Sequence, residues 1–167
     1  ETFEMLGSGA FGAVFRGVWR RAPGAVKQLH SASLSPETAA EFHREMALMS
    51  DMRHPHIVRF MGAAVQPGKL CLLSELCRES LYDVLKDSSR EVDVEWSLEI
   101  VKQIALGIYY LHCCSPPLLH RDLKSPNVLL DEHGVAKVCD FGMSHIKKET
   151  AVITARMGSP QWSAPVA

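Results

Sequence analysis

The stretch His120-Arg121-Asp122-Leu123-Lys124-Ser125-Pro126-Asn127, followed by Asp140-Phe141-Gly142, decides how this chain is read. It sets two carboxylates, a lysine and an asparagine between positions 122 and 140, on segments too short and too polar to be core. Carboxylate and amide oxygens are hard ligands, suited to cations of the magnesium class. A carboxylate held beside them can accept a proton from an incoming hydroxyl. One Asp near a Lys carries little information. The whole ordered string carries much more, and a charged surface turn does not account for its order.

Around this stretch the composition is that of an ordinary globular chain. Its 167 residues suffice for one sizeable core or two small lobes. Hydrophobic residues make up 47%, charged residues 22%, and the net charge is −1. This balance gives no sign of a surface that coats nucleic acid. No apolar run reaches the roughly 20 residues of a membrane span, and the opening Glu1-Thr2-Phe3-Glu4 lacks the pattern of a signal peptide. The five cysteines, Cys71, Cys77, Cys113, Cys114 and Cys139, have no C-x-x-C spacing and read as buried, reduced thiols. That reading implies an intracellular, cytoplasmic location. A zinc site from His112, Cys113, Cys114 and His120 is disfavoured, because adjacent cysteines seldom chelate one metal.

The first third reads as strands at 3–6, 13–20 and 25–29, separated by Gly, Pro and Arg. Ser35-Pro36-Glu37 is a helix start, and the helix it opens is expected to run to Met52 or Arg53. Phe42, Met46, Met49 and Met52 form its apolar stripe, with Glu45 on the same face. A carboxylate there needs a cation, and Lys27, at the end of the third strand, supplies one. Strands at 57–65 and 69–74 follow, joined by a Gln66-Pro67-Gly68 turn. From Ser80 onward the pattern is helical: 81–86 is short, and 94–112 is long, with Ile100, Ile104, Ile108 and Leu111 on one face. A small hairpin spans 128–139, and 143–167 reads as a long functional loop.

Gly7-Ser8-Gly9-Ala10-Phe11-Gly12-Ala13-Val14 is G-x-G-x-x-G-x-V, a weak signal taken alone. A dinucleotide site would require a helix straight after the third glycine, whereas Val14, Phe15, Val18 and Trp19 look like a strand. That favours a hairpin whose backbone N–H groups close over phosphates.

Taken together and in this order, these motifs resemble those of the eukaryotic protein kinases along nearly the whole chain. Arg53-His54-Pro55-His56-Ile57-Val58 and Gly158-Ser159-Pro160-Gln161-Trp162-Ser163-Ala164-Pro165 look like the tyrosine-kinase-like group, which includes Raf-like and mixed-lineage kinases. The resemblance implies an α+β, bilobal fold. A strand-rich N-lobe with one helix would span 1–76, and a partial helical C-lobe 77–167. It implies ATP as cofactor, with Mg²⁺, or Mn²⁺ in its place, held by Asn127 and Asp140. Asp122 would be the catalytic base, and Lys124 would neutralise the transferring phosphoryl group. Lys27, braced by Glu45, would reach the phosphates. Gly7, Ser8, Gly9 and Gly12 would cover them. Leu6, Val14, Ala25 and Leu129 would enclose the adenine, with Ser74 behind it and backbone groups of Glu75 to Cys77 bonded to it. Arg121 would clamp a phosphorylated Thr150 or Thr154 in the activation loop. The implied substrates are serine and threonine side chains of proteins, with tyrosine as a second target. An upstream kinase or autophosphorylation would be the activator.

Two departures stand out. Gly24 occupies the first position of the lysine strand motif, which should loosen that strand. Val166 stands where the family has the Glu of Ala-Pro-Glu, and the sequence ends one residue later, at Ala167. The expectation is therefore a kinase-domain fragment with apolar surface exposed along its long helix. The competing function is a catalytically weak nucleotide-binding or scaffold module. A dinucleotide-dependent oxidoreductase fails on the strand after Gly12.

Overall fold

The computed structural model describes residues 2–9, 12–29, 46–47, 49–66, 69–140 and 160–162. They fall into two units: residues 1–53 with 59–76, and residues 54–58 with 77–167. No helix among the described residues is long and apolar enough to cross a membrane.

The first unit is an antiparallel sheet of five strands: β1 (Thr2–Gly9), β2 (Gly12–Trp19), β3 (Ala22–Leu29), β4 (Phe60–Gln66) and β5 (Lys69–Glu75). Their order across the sheet is β1-β2-β3-β5-β4. β2 begins at Gly12 itself and pairs back on Gly9. The glycine motif therefore closes a hairpin, and the strand-turn-helix of a dinucleotide site is absent. Residues 46–47 and 49–51 are helical, and Met52 behind them is buried. The remainder of the helix expected from Ser35, including Glu45, lies outside the described residues.

Gly24 corrects the expectation of a loosened strand. A Cβ there would lie 2.9 Å from Leu73 Cδ1 and 3.0 Å from the Ser74 carbonyl oxygen. The missing side chain lets β3 and β5 approach, so glycine fits the sheet at this point.

The second unit has a sheet of β6 (Glu79–Ser80), β7 (Val128–Leu130) and β8 (Ala136–Val138), in that order. Helix α1 is Leu81–Lys86 and helix α2 is Val94–His112. Both helices start on side-chain caps. Ser80 Oγ accepts the Asp83 N–H at 3.1 Å while Asp83 Oδ2 accepts the Ser80 N–H at 3.2 Å, a reciprocal capping box. Asp93 Oδ1 accepts the Trp96 N–H at 2.7 Å. The core joins Leu81 and Val84 of α1, Ile100 of α2, and Val128, Leu130 and Ala136 of the sheet, with Trp96 and Ile104 packed against it. Gln103 Oε1 also accepts the Ala136 N–H at 2.7 Å, which ties α2 to β8 by a polar contact.

The segment 54–58 corrects a strand boundary. The strand expected at 57–65 begins only at Phe60. Ile57 instead makes a parallel bridge to Val138, and Val58 N–H and Val138 N–H bond to the carbonyls of Val138 and His56 respectively. His56 Nδ1 donates to the Ala136 carbonyl at 3.0 Å, and the His54 ring stacks on Tyr110 with centroids 4.8 Å apart. This packing requires Gly107, because a Cβ there would lie 2.6 Å from the His56 carbonyl oxygen. Gly107→Ala is therefore expected to destabilise the protein by about 2 kcal/mol, in the range of overpacking substitutions. Urea unfolding measures it, and a change below about 0.5 kcal/mol would contradict this account of the contact.

The cysteines are all free thiols, but the expectation that they are buried fails: Cys113 is exposed and the other four are only half-buried. Cys113 ends α2 at its solvent-facing C-cap. Among the described residues no three His, Cys, Asp or Glu side chains group as metal ligands. On α2, Val94, Leu98, Val101 and Tyr109 are exposed.

Candidate active site

The polar loop between α2 and β7 is short, and its own hydrogen bonds hold it. Lys124 Nζ lies 2.9 Å from Asp122 Oδ2. Asn127 Nδ2 donates to the Asp122 carbonyl at 2.8 Å and contacts Asp122 Oδ2 at 3.3 Å. Pro126 sits within a single 3₁₀ turn over Ser125–Asn127, where its fixed φ suits the first helical positions. Asn127 N–H donates back to the Lys124 carbonyl at 2.9 Å, and the Asn127 carbonyl accepts the Cys139 N–H at 3.0 Å. That last bond links the loop to the residue preceding Asp140.

His120 is 4% exposed and both of its ring nitrogens are engaged. Nε2 donates to the Cys139 carbonyl at 2.9 Å, and Nδ1 accepts the Asp122 N–H at 3.3 Å. These partners fix the neutral Nε2–H tautomer. Burial pushes the imidazole below the ordinary histidine value, against the opposing pull of the Cys139 carbonyl. His120 thus braces Asp122 and the Cys139–Asp140 backbone, and neither nitrogen is placed to take a substrate proton.

Arg121 and Asp140 both hold left-handed backbone, at φ of 62° and 61°. Non-glycine residues adopt this region rarely, and it turns both side chains out of the run of their neighbours. Sequence patterns give no sign of such strain. They also miss the two bonds through Cys139, since position 139 carries no signal beyond preceding Asp140.

The chemistry of the donor set suits a hard cation. The Asn127 amide nitrogen is turned toward Asp122, so its oxygen is the atom left to meet an ion. Asp140 adds an exposed carboxylate. Amide and carboxylate oxygens of this kind match Mg²⁺ or Mn²⁺ better than softer metals.

In the first unit, the register sets Val14 opposite Lys27 and Lys27 opposite Leu72, with Ala25 opposite Ser74. Strand alternation then places Val14, Ala25, Lys27 and Ser74 on one face of the sheet. Leu6 is 45% exposed beside the irregularity between Met5 and Gly7. The Glu75 N–H is already donated to the Arg59 carbonyl at 2.9 Å, and Glu75 Oε1 accepts the Arg59 N–H at 2.7 Å. A base could therefore draw on the Glu75 carbonyl but not on this donor. Leu129 and Cys77 lie half-buried in the second unit. The partner expected for Lys27, Glu45, and the two candidate phosphosites, Thr150 and Thr154, lie outside the described residues.

Residues 1–167 match the family described as protein tyrosine and serine/threonine kinase, and the chain belongs to that family. Its curated relatives sharpen the class. It is 45% identical over 166 residues to the serine/threonine-protein kinase CTR1 of Arabidopsis thaliana, an alignment covering 97% of this chain and 20% of the relative. It is 42% identical to the probable serine/threonine-protein kinase drkA of Dictyostelium discoideum, covering 96% of this chain and 25% of the relative. It is 41% identical to the probable serine/threonine-protein kinase SIS8 of Arabidopsis thaliana, over 97% of this chain and 16% of the relative. The chain thus spans a quarter or less of these relatives' length.

A pH dependence follows from the histidines. Burial and then the neighbouring His56 lower the His54 value from 6.5, and burial lowers that of His120. Below pH 6.5 the unfolded chain takes up these protons before the folded chain does, so the unfolded state binds more protons and stability falls. The loss should begin as pH drops through 6.5 and end once the folded side chains are also protonated. Urea titrations between about pH 7 and 5.5 check this, and His54→Gln should flatten part of the slope. Stability that rises on acidification over that window would contradict it.

Proposed function

We propose that this chain is the part of a protein kinase that transfers the γ-phosphoryl group of ATP to serine and threonine hydroxyls of proteins. The observation that carries the reading is the cluster of Asp122, Lys124 and Asn127, a carboxylate with a cation at 2.9 Å and an amide fixed against it. Asp122 accepts the proton of the incoming hydroxyl. Lys124, on the same carboxylate, offsets charge on the phosphoryl oxygens. The family uses ATP and a divalent cation, and in this reading the cation is Mg²⁺, with Mn²⁺ able to replace it. Asn127 and Asp140 hold it, and when bound it neutralises and orients the phosphates.

Lys27, braced by Glu45, positions the α- and β-phosphates, under the backbone of Gly7, Ser8, Gly9 and Gly12. Leu6, Val14 and Ala25 with Leu129 enclose the adenine, Ser74 backs it, and the Glu75–Cys77 backbone binds its edge. Arg121 pairs with the phosphate carried by phosphorylated Thr150 or Thr154, which orders the loop that carries them. In this reading residues 1–76 and 77–167 are the two lobes.

The serine/threonine preference is drawn from the Lys124-Ser125-Pro126 run and from the printed names of the relatives. The test is label transfer from γ-phosphate-labelled ATP to a generic protein substrate, with and without divalent cation, followed by phosphoamino-acid analysis. Cation-dependent phosphoserine and phosphothreonine are expected. Phosphotyrosine alone, or transfer indifferent to the cation, would overturn the reading.

A further inference from the structure

The β2–β3 hairpin carries a feature that phosphoryl transfer does not use. β1 pairs with β2 only as far as Gly17, and β5 pairs with β3 only as far as Gly24. Residues 18–23 therefore overhang the sheet beyond both neighbouring strands. All six are exposed, Val18 at 50% and Trp19 at 47%. An indole so open is unusual, since tryptophan is highly buried on average.

The turn itself is Arg20-Arg21, with φ of 48° and 70°. A two-residue turn with both residues left-handed is the place where Asn-Gly is most stable. Two arginines sit there instead, and the Trp19↔Ala22 pair holds the turn closed. The Arg20 guanidinium lies 5.6 Å from the Trp19 ring centroid. Residues 18–23 contain no acid. The nearest basic residue down the strand, Arg16, is 3.7 Å from Glu4 and is partly neutralised.

We propose that this overhanging tip is a docking element for an anionic phospholipid surface. The tip is a two-residue turn that projects past the last paired residues of both neighbouring strands. β2 and β3 have both edges paired within the sheet up to Gly17 and Gly24, which leaves only Val18-Trp19 and Ala22-Pro23 open at the tip, a stretch short for strand addition. What projects is an indole beside two guanidinium groups and small apolar residues. Indoles favour the headgroup layer of a bilayer, and arginines favour its negative potential. Each arginine raises the partition by about fivefold, so a tip of this size gives weak, reversible contact that adds to any other membrane signal.

The test is sedimentation of the 167-residue protein with vesicles of phosphatidylcholine, alone or with about 40 mol % phosphatidylserine. Binding to the anionic vesicles alone is expected. Arg20→Glu with Arg21→Glu should reduce it by about 25-fold or more, and Trp19→Ser by several-fold, with unchanged circular dichroism and melting. Arg20→Lys with Arg21→Lys should retain it. Lys86→Glu with Lys102→Glu, a reversal of equal charge elsewhere on the surface, should leave it within twofold of wild type, within about one arginine's contribution. An equal loss in that control, equal binding to neutral vesicles, or no sedimentation at millimolar lipid overturns the proposal. So does binding to an acidic polypeptide without binding to vesicles.

Discussion

Asp122→Asn is expected to lower the rate of phosphoryl transfer about a thousandfold while leaving the protein folded. The estimate is the usual contribution of a positioned general base, equivalent to about 4 kcal/mol of barrier. Asparagine keeps the shape of the side chain, and one oxygen can still accept from Lys124 Nζ, now 2.9 Å away. It cannot take up a proton at neutral pH. The bond from Asn127 to the Asp122 backbone carbonyl does not depend on the side chain, so the loop should keep its shape. Single-turnover transfer at saturating ATP, measured beside thermal melting, separates the two effects. A variant with more than about a tenth of wild-type rate would remove Asp122 from the role of base.

Leu111→Ala should produce the largest change in stability. Leu111 is 0% exposed at the end of α2, and its carbonyl accepts the Leu118 N–H at 3.0 Å where the chain turns back. Truncation removes buried methyl groups and leaves a cavity, at about 3 kcal/mol for such a site. In a chain of this size that lowers Tm by roughly 6–12 °C. Leu98, on the same helix but 65% exposed, is the internal comparison, and Leu98→Ala should change stability by no more than about 0.5 kcal/mol. Similar losses at the two positions would show that α2 is not buried on the face described.

The two helices could be read from the sequence to the residue, the longer one from its apolar stripe, and the structure adds the caps. Ser80 and Asp93 start them, and Ile100 and Leu111 mark the buried face. The strands could be read as elements but not as a sheet. The β3–β5 pairing joins segments distant in sequence, and local periodicity does not encode it. The boundary at Phe60 is missed for the same reason: Ile57 and Val58 have strand-like side chains, but their backbone bonds are made with β8 of the second unit, to which both residues belong. Gly24 and Gly107 show a further limit. One looked like a flaw and the other carried no signal, yet each leaves room for a backbone oxygen within 3.0 Å.

The candidate catalytic loop is legible because its residues lie close together in sequence and bond to one another. Asp122, Lys124 and Asn127 meet within a single turn. The contributions of His120 through Cys139 and the left-handed backbone at Arg121 and Asp140 come from tertiary constraint. Residue order does not specify them.

Paramagnetic mapping with Mn²⁺ and ATP tests the central claim most directly, because Mn²⁺ broadens the amide signals of residues near it. The account predicts that Asn127, Cys139 and Asp140 broaden on addition of Mn²⁺–ATP, that Asp140→Asn weakens the effect, and that the signals of Trp19 to Ala22 stay sharp. Signals of Asn127 and Asp140 that stay sharp while others broaden would place the nucleotide's cation elsewhere and contradict the account.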